Sequence, residues 1–79
     1  MNVTKVRNIL SSHGRLSEAV EDLKGDSDLY HAGLTSLATV GLMLALEDEF
    51  DIEFPDSMLS RKTFGSIESI TDSIEELLA

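Results

Sequence analysis

The chain has no cysteine, a single proline and only six basic residues against fifteen acids. Each shortage removes a class of function. Without thiols there is no disulfide, no thiolate nucleophile and no zinc-thiolate centre, which fits a reducing compartment. The net charge of −9 repels phosphate backbones, so nucleic acid is excluded as a partner and basic protein surfaces are favoured. No uninterrupted apolar run approaches the roughly 20 residues of a membrane span. The opening Met1-Asn2-Val3-Thr4-Lys5 leads into a mixed polar pattern rather than a signal-peptide core. A cytoplasmic protein with no membrane contact is expected. Its 79 residues make one domain, 1–79, with a core too small for a deep active-site cleft. An enzyme is therefore not expected. An apolar content of 42% is nonetheless enough to fold, so this is no disordered acidic tail.

What is present is helical periodicity. Val3, Val6, Ile9 and Leu10 recur at spacings of three and four and predict an amphipathic first helix that frays near Ser11 to Gly14. Leu16, Ala19, Val20 and Leu23 repeat the spacing, so a second short helix or a continuation is expected before Lys24-Gly25 stops it. A polar loop follows from about residue 24 to 35, anchored by Leu29 and Tyr30. Near the other end, Asp56 to Ser60 suggests one helical turn, Phe64 a core plug, and Gly65-Ser66 a turn and N-cap. The last helix carries Ile67, Ile70, Ile74 and Leu77 on one side. Short connections and apolar faces predict an all-α fold, a small antiparallel bundle of three to four helices with a long first loop.

The stretch Gly33-Leu34-Thr35-Ser36-Leu37 runs straight into the most apolar segment, Leu37 to Phe50. Gly33 tolerates unusual backbone angles, and either Thr35 or Ser36 is able to cap the helix. A hydroxyl at this point meets the positive end of the helix dipole, where a phosphate would be accommodated. At about 100° per residue, Leu42, Met43, Leu46 and Phe50 fall together with Thr39 and face the core. Leu37, Val40 and Leu44 fall on another side, flanked by Gly41, Glu47 and Asp48. That second stripe calls for a partner or for burial inside the bundle.

Other polar clusters are read as structure. Five carboxylates between Glu47 and Glu53 make a solvated face, since nothing encloses them to raise their pKa values for acid-base work. Asp26-x-Asp28 lacks the later ligands and the glycine of a calcium loop, having Tyr30 and His31 there instead. His13 and His31 both fall in polar loops as solvated side chains. Ser66, Ser69 and Ser73 have no neighbouring base to activate a nucleophile.

In this order, an acidic small bundle with a Gly-x-x-Ser-Leu turn opening its central helix resembles the acyl carrier protein family over nearly the whole chain. Gly33-Leu34-Thr35-Ser36-Leu37 stands where the family has Gly-x-Asp-Ser-Leu. The segment Ala45 to Pro55 looks like the family's acidic helix end and hydrophobic-Pro pair, and Leu29-Tyr30 matches apolar residues shortly before the glycine. The resemblance implies that Ser36 is the attachment site of 4′-phosphopantetheine, donated by coenzyme A through a phosphopantetheinyl transferase. Thr35 would then cap the helix while Ser36 carries the arm. It also implies a monomeric carrier whose cargo rides as a thioester, is loaded by a ligase or acyltransferase, and is passed to downstream enzymes. The thiol that a cysteine-free chain lacks would come from the arm.

Two departures from the family pattern shape the expectation for cargo. Thr35 replaces the usual Asp before the serine, and Ala38 and Gly41 stand where fatty acid carriers often have acids. Docking through Leu37, Val40, Gly41, Leu44, Glu47 and Asp48 should then depend less on long-range electrostatics. A specialised carrier of an aminoacyl or unusual acyl group is expected. The alternatives are a housekeeping carrier of fatty acid synthesis and a non-covalent acidic helical interaction module.

Overall fold

The computed structural model describes residues 2–13, 16 and 19–79, and its described residues form four helices and no strand. Helix α1 spans Asn2–His13 and buries Val6 and Leu10 completely. Ser11 to His13 stay helical where fraying is expected, and His13 belongs to the last turn of α1 rather than to a loop. Three polar residues without proline cost at most ~0.7 kcal/mol each in propensity. That is too little to unwind a helix anchored by two fully buried side chains.

The second helix expected before Lys24 does not form in the described residues. Only a single 3-10 turn, Val20–Asp22, appears there, and Ser17, Glu18, Gly14 and Arg15 lie outside the described residues. Val20 and Leu23 are nonetheless buried, with Leu16 packed against the core. The reason is a contact from α1: the Arg7 guanidinium donates to the carbonyls of Val20 and Leu23 at 3.1 and 3.0 Å. A tertiary donor thus satisfies carbonyls that local periodicity assigned to a helix.

From Lys24 to Thr35 the chain turns repeatedly and is fastened to the other end of the molecule. Leu29 N–H donates to Gly65 O at 2.8 Å, and Glu68 N–H donates to Gly25 O at 2.9 Å. Leu29, Ala32 and Leu34 are buried, whereas Tyr30 is half-buried, so Leu34 rather than Tyr30 is the second deep anchor. Asp28 Oδ1 accepts from the Tyr30 and His31 amides, which gives the Asp26-x-Asp28 pattern a turn-forming role.

Helix α2 spans Ser36–Phe50 and ends at Asp51, whose left-handed backbone (φ 53°) lets Asp51 N–H and Ile52 N–H reach Glu47 O. The stop therefore comes four residues before Phe54-Pro55. Glu47 is turned toward that end too, its carboxylate accepting from Phe54 N–H at 2.8 Å. After a 3-10 turn at Asp56–Met58 comes the short helix α3, Arg61–Phe64, and then α4, Ile67–Leu78. Ser66 caps α4 in a reciprocal box with Ser69. Ile67, Ile70 and Ile74 are buried on one side, with Glu68, Asp72, Glu75 and Glu76 exposed on the other.

The core joins Val6 and Leu10 of α1, Leu42 and Leu46 of α2, and the three isoleucines of α4, and is closed by Phe54 and Phe64. Those two rings meet edge to face at 5.4 Å. Met43 and Phe50 pack at its margin rather than within it. α1 packs against both α2 and α4, and α3 packs against α4.

Candidate functional site

Gly33 has φ 116°, a backbone that side-chain-bearing residues rarely adopt, and it reverses the chain just before α2. Leu34 then plugs the core, and Leu34 N–H donates to Leu29 O at 2.9 Å. Thr35 is the N-cap, with extended backbone and its hydroxyl accepting from Ala38 N–H at 3.0 Å. Thr39 donates its own hydroxyl to Thr35 O at 2.7 Å. The turn is thus held from both sides.

Ser36 follows as the first residue of α2 and is exposed. Among the described residues nothing hydrogen-bonds its hydroxyl, because Thr35 already performs the capping. No acid stands in the first turn of α2. An anion on Ser36 would therefore meet the helix dipole with no carboxylate beside it, a preference of about 0.3–1 kcal/mol when exposed.

Beside Ser36 lies a groove of ≈ 290 Å³ between α2 and α3. Val40, Met43, Leu59 and Phe64 give it apolar walls, and Thr39, Ser60 and Arg61 stand among its polar groups. Arg61 sits over the Tyr30 ring at 4.2 Å from the centroid, a cation–π contact that holds the guanidinium at the groove. Of the groove's residues only Ser36 and Val40 were expected at the site from the sequence; Tyr30 and Arg61 are among those it left out. The available signal was Arg61-Lys62, the single basic pair in an acidic chain.

Of the residues expected to face partners, Leu37, Val40 and Leu44 are 85%, 51% and 56% exposed. Gly41 lies open between them, with nothing near where a Cβ would project. Asp48 is exposed as well. Glu47 stands apart, its carboxylate occupied by Phe54 N–H. No helix among the described residues is long and apolar enough to cross a membrane.

The family described as phosphopantetheine attachment site matches residues 5–74. The chain belongs to this family. Its members are carriers of 4′-phosphopantetheine, and an exposed, unbonded serine hydroxyl at a capped helix N-terminus beside an apolar groove fits that group. The aminoacyl carrier protein of Agrobacterium fabrum is 49% identical over 78 residues, 99% of this chain and 93% of that protein. A carrier protein from Agrobacterium tumefaciens was solved with an engineered Bradyrhizobium japonicum glycine:[carrier protein] ligase and ATP. It is 45% identical, with TM-score 0.93 over 96% of this chain and 99% of that one. The holo acyl carrier protein of Nitrosomonas europaea is 32% identical, with TM-score 0.85 over 99% of this chain and 96% of that one. The four-helix architecture of this carrier is that of the acyl carrier fold.

Proposed function

We propose that the chain, acting as a single domain over residues 1–79, carries an aminoacyl group on a 4′-phosphopantetheine arm attached to Ser36. The observation that carries this reading is the free, exposed hydroxyl of Ser36 at the first turn of α2, relieved of capping by Thr35. Attachment joins Ser36 Oγ to the phosphorus that coenzyme A presents, while the pyrophosphate bond breaks and the adenosine bisphosphate leaves. The arm ends in a thiol, on which an acyl group rides as a thioester.

The aminoacyl cargo is supported by the likeness to an aminoacyl carrier protein and to a carrier held by a glycine ligase. The neutral first turn of α2 agrees with it. Leu37, Val40, Gly41 and Leu44 form the surface on which a loading ligase and a phosphopantetheinyl transferase would dock, with Asp48 at its edge. The chain itself supplies position and no catalysis, and dependence on coenzyme A places it in the cytoplasm. The housekeeping fatty acid role and the non-covalent module are disfavoured by the same likenesses.

Incubating the apo-protein with coenzyme A and a broad-specificity transferase should add the mass of the arm, and Ser36→Ala should abolish the gain. The holo-protein should then accept glycine from a glycine:carrier ligase with ATP, and should accept malonyl groups poorly from fatty acid enzymes. A folded sample that gains no mass would refute the attachment. Efficient malonyl loading without aminoacyl loading would refute the cargo.

A further inference from the structure

Arg61 is placed by tertiary structure alone, 25 positions after Ser36 in the chain yet on the same groove. It stands out electrostatically. In a chain of net charge −9, the groove beside Ser36 has no acidic lining residue and one guanidinium. Arg61 makes no ion pair with any described residue; its contact is the face of Tyr30, which orients the planar fork without using its N–H donors. Asp26 and Asp28 line an adjoining hollow that shares Tyr30 and Arg61 with the groove, and neither acid lines the groove itself. Gly65 closes α3 tightly behind Arg61, since a Cβ there would come within 2.8 Å of the Arg61 backbone carbonyl.

We propose that Arg61 is the intramolecular counter-ion of the phosphodiester on Ser36, a positioning residue that lays the root of the arm along the groove. The proposal rests on Ser36 being the attachment site. A phosphodiester carries one negative charge shared by two free oxygens, and a guanidinium presents paired N–H donors that match them. With the phosphate drawn toward Arg61, the branched aliphatic root of pantetheine comes against Val40, Met43 and Leu59. The distal, amide-bearing part of the arm and its cargo stay outside. In this carrier a neutral Thr35 and a cationic Arg61 together reverse the charge that would otherwise surround the phosphate.

The test is NMR on the full chain in its apo and holo forms, with attachment to Ser36 checked by mass. Conversion to the holo form should shift the Arg61 Nε–Hε resonance and the Val40, Met43 and Leu59 methyls. Arg61→Gln should move the phosphorus resonance toward that of the free arm and remove the methyl shifts. Arg61→Lys should retain part of them, and Lys62→Gln, an equal change of charge outside the groove, should leave them intact. Thermal unfolding of each variant checks the fold. A correct mass gain with no response at Arg61, equal effects of Arg61→Gln and Lys62→Gln, or a response that appears only on adding a ligase would overturn the proposal. Absence of the mass gain would overturn the Ser36 assignment and this pairing together.

Discussion

Helix α2 is rich in leucine and α4 in isoleucine, and they distribute these side chains in opposite ways. α4 puts Ile67, Ile70 and Ile74 inward and its acids outward, the pattern of a helix whose work is to close a core. α2 buries Leu42 and Leu46 yet leaves Leu37, Val40 and Leu44 in solvent. Exposed leucines on a folded helix lower no folding free energy and favour aggregation, and contacts made outside the chain are the role proposed for them. The difference separates a helix that spends its apolar residues on the core from one that keeps part of them in solvent.

Substitutions that break this contrast should affect stability or loading, seldom both. The largest stability effect is expected from Ile70→Ala in α4, about 2–5 kcal/mol by chemical denaturation, because a fully buried side chain leaves a cavity. Its folded fraction should still accept the arm at an unchanged rate. On α2, Leu37→Ala should change stability by less than about 0.5 kcal/mol. Ligase kcat/KM for loading should nevertheless fall on the order of tenfold, equivalent to about 1.4 kcal/mol of docking contact. A Leu37→Ala carrier loaded as fast as wild type would remove the functional side of the comparison.

At the junction between the two roles, Thr35→Ala should cost roughly 1 kcal/mol, since Ala38 N–H loses its acceptor. Thr35→Asp should keep that cap and restore a carboxylate beside Ser36. Unfolding curves of the two variants separate capping from charge. The smallest effect is expected where α1 meets α2, at the exposed Lys5–Glu49 pair of 3.9 Å. Lys5→Ala should shift stability by less than about 0.5 kcal/mol even with its contact to Phe50 lost.

Legibility in the sequence followed the range of the interactions. α1, α2 and α4 were readable because i, i+3, i+4 spacing is a local signal, and the Ser66 cap and the Gly33 turn are equally local. Before Lys24 the periodicity leaves a short helix and a continuation both open; the described residues form a single 3-10 turn there, with the Val20 and Leu23 carbonyls bonded by Arg7. At Glu47 the acidity is visible in the sequence, while the bond its carboxylate accepts from Phe54 N–H is not.

From the sequence alone follow a helix opening within Thr35-Ser36-Leu37, its division into two apolar stripes, and the absence of any thiol of the chain itself. The structure made Thr35 the cap and left the Leu37, Val40 and Leu44 stripe in solvent. Tertiary structure decided what surrounds Ser36. The fold brings α3 beside the start of α2, and Tyr30 holds Arg61 at the groove they share. Periodicity encodes which face of a helix is buried, but the neighbour a side chain meets depends on how separate segments pack, and Arg61 comes to line the same groove as Ser36 only by that route.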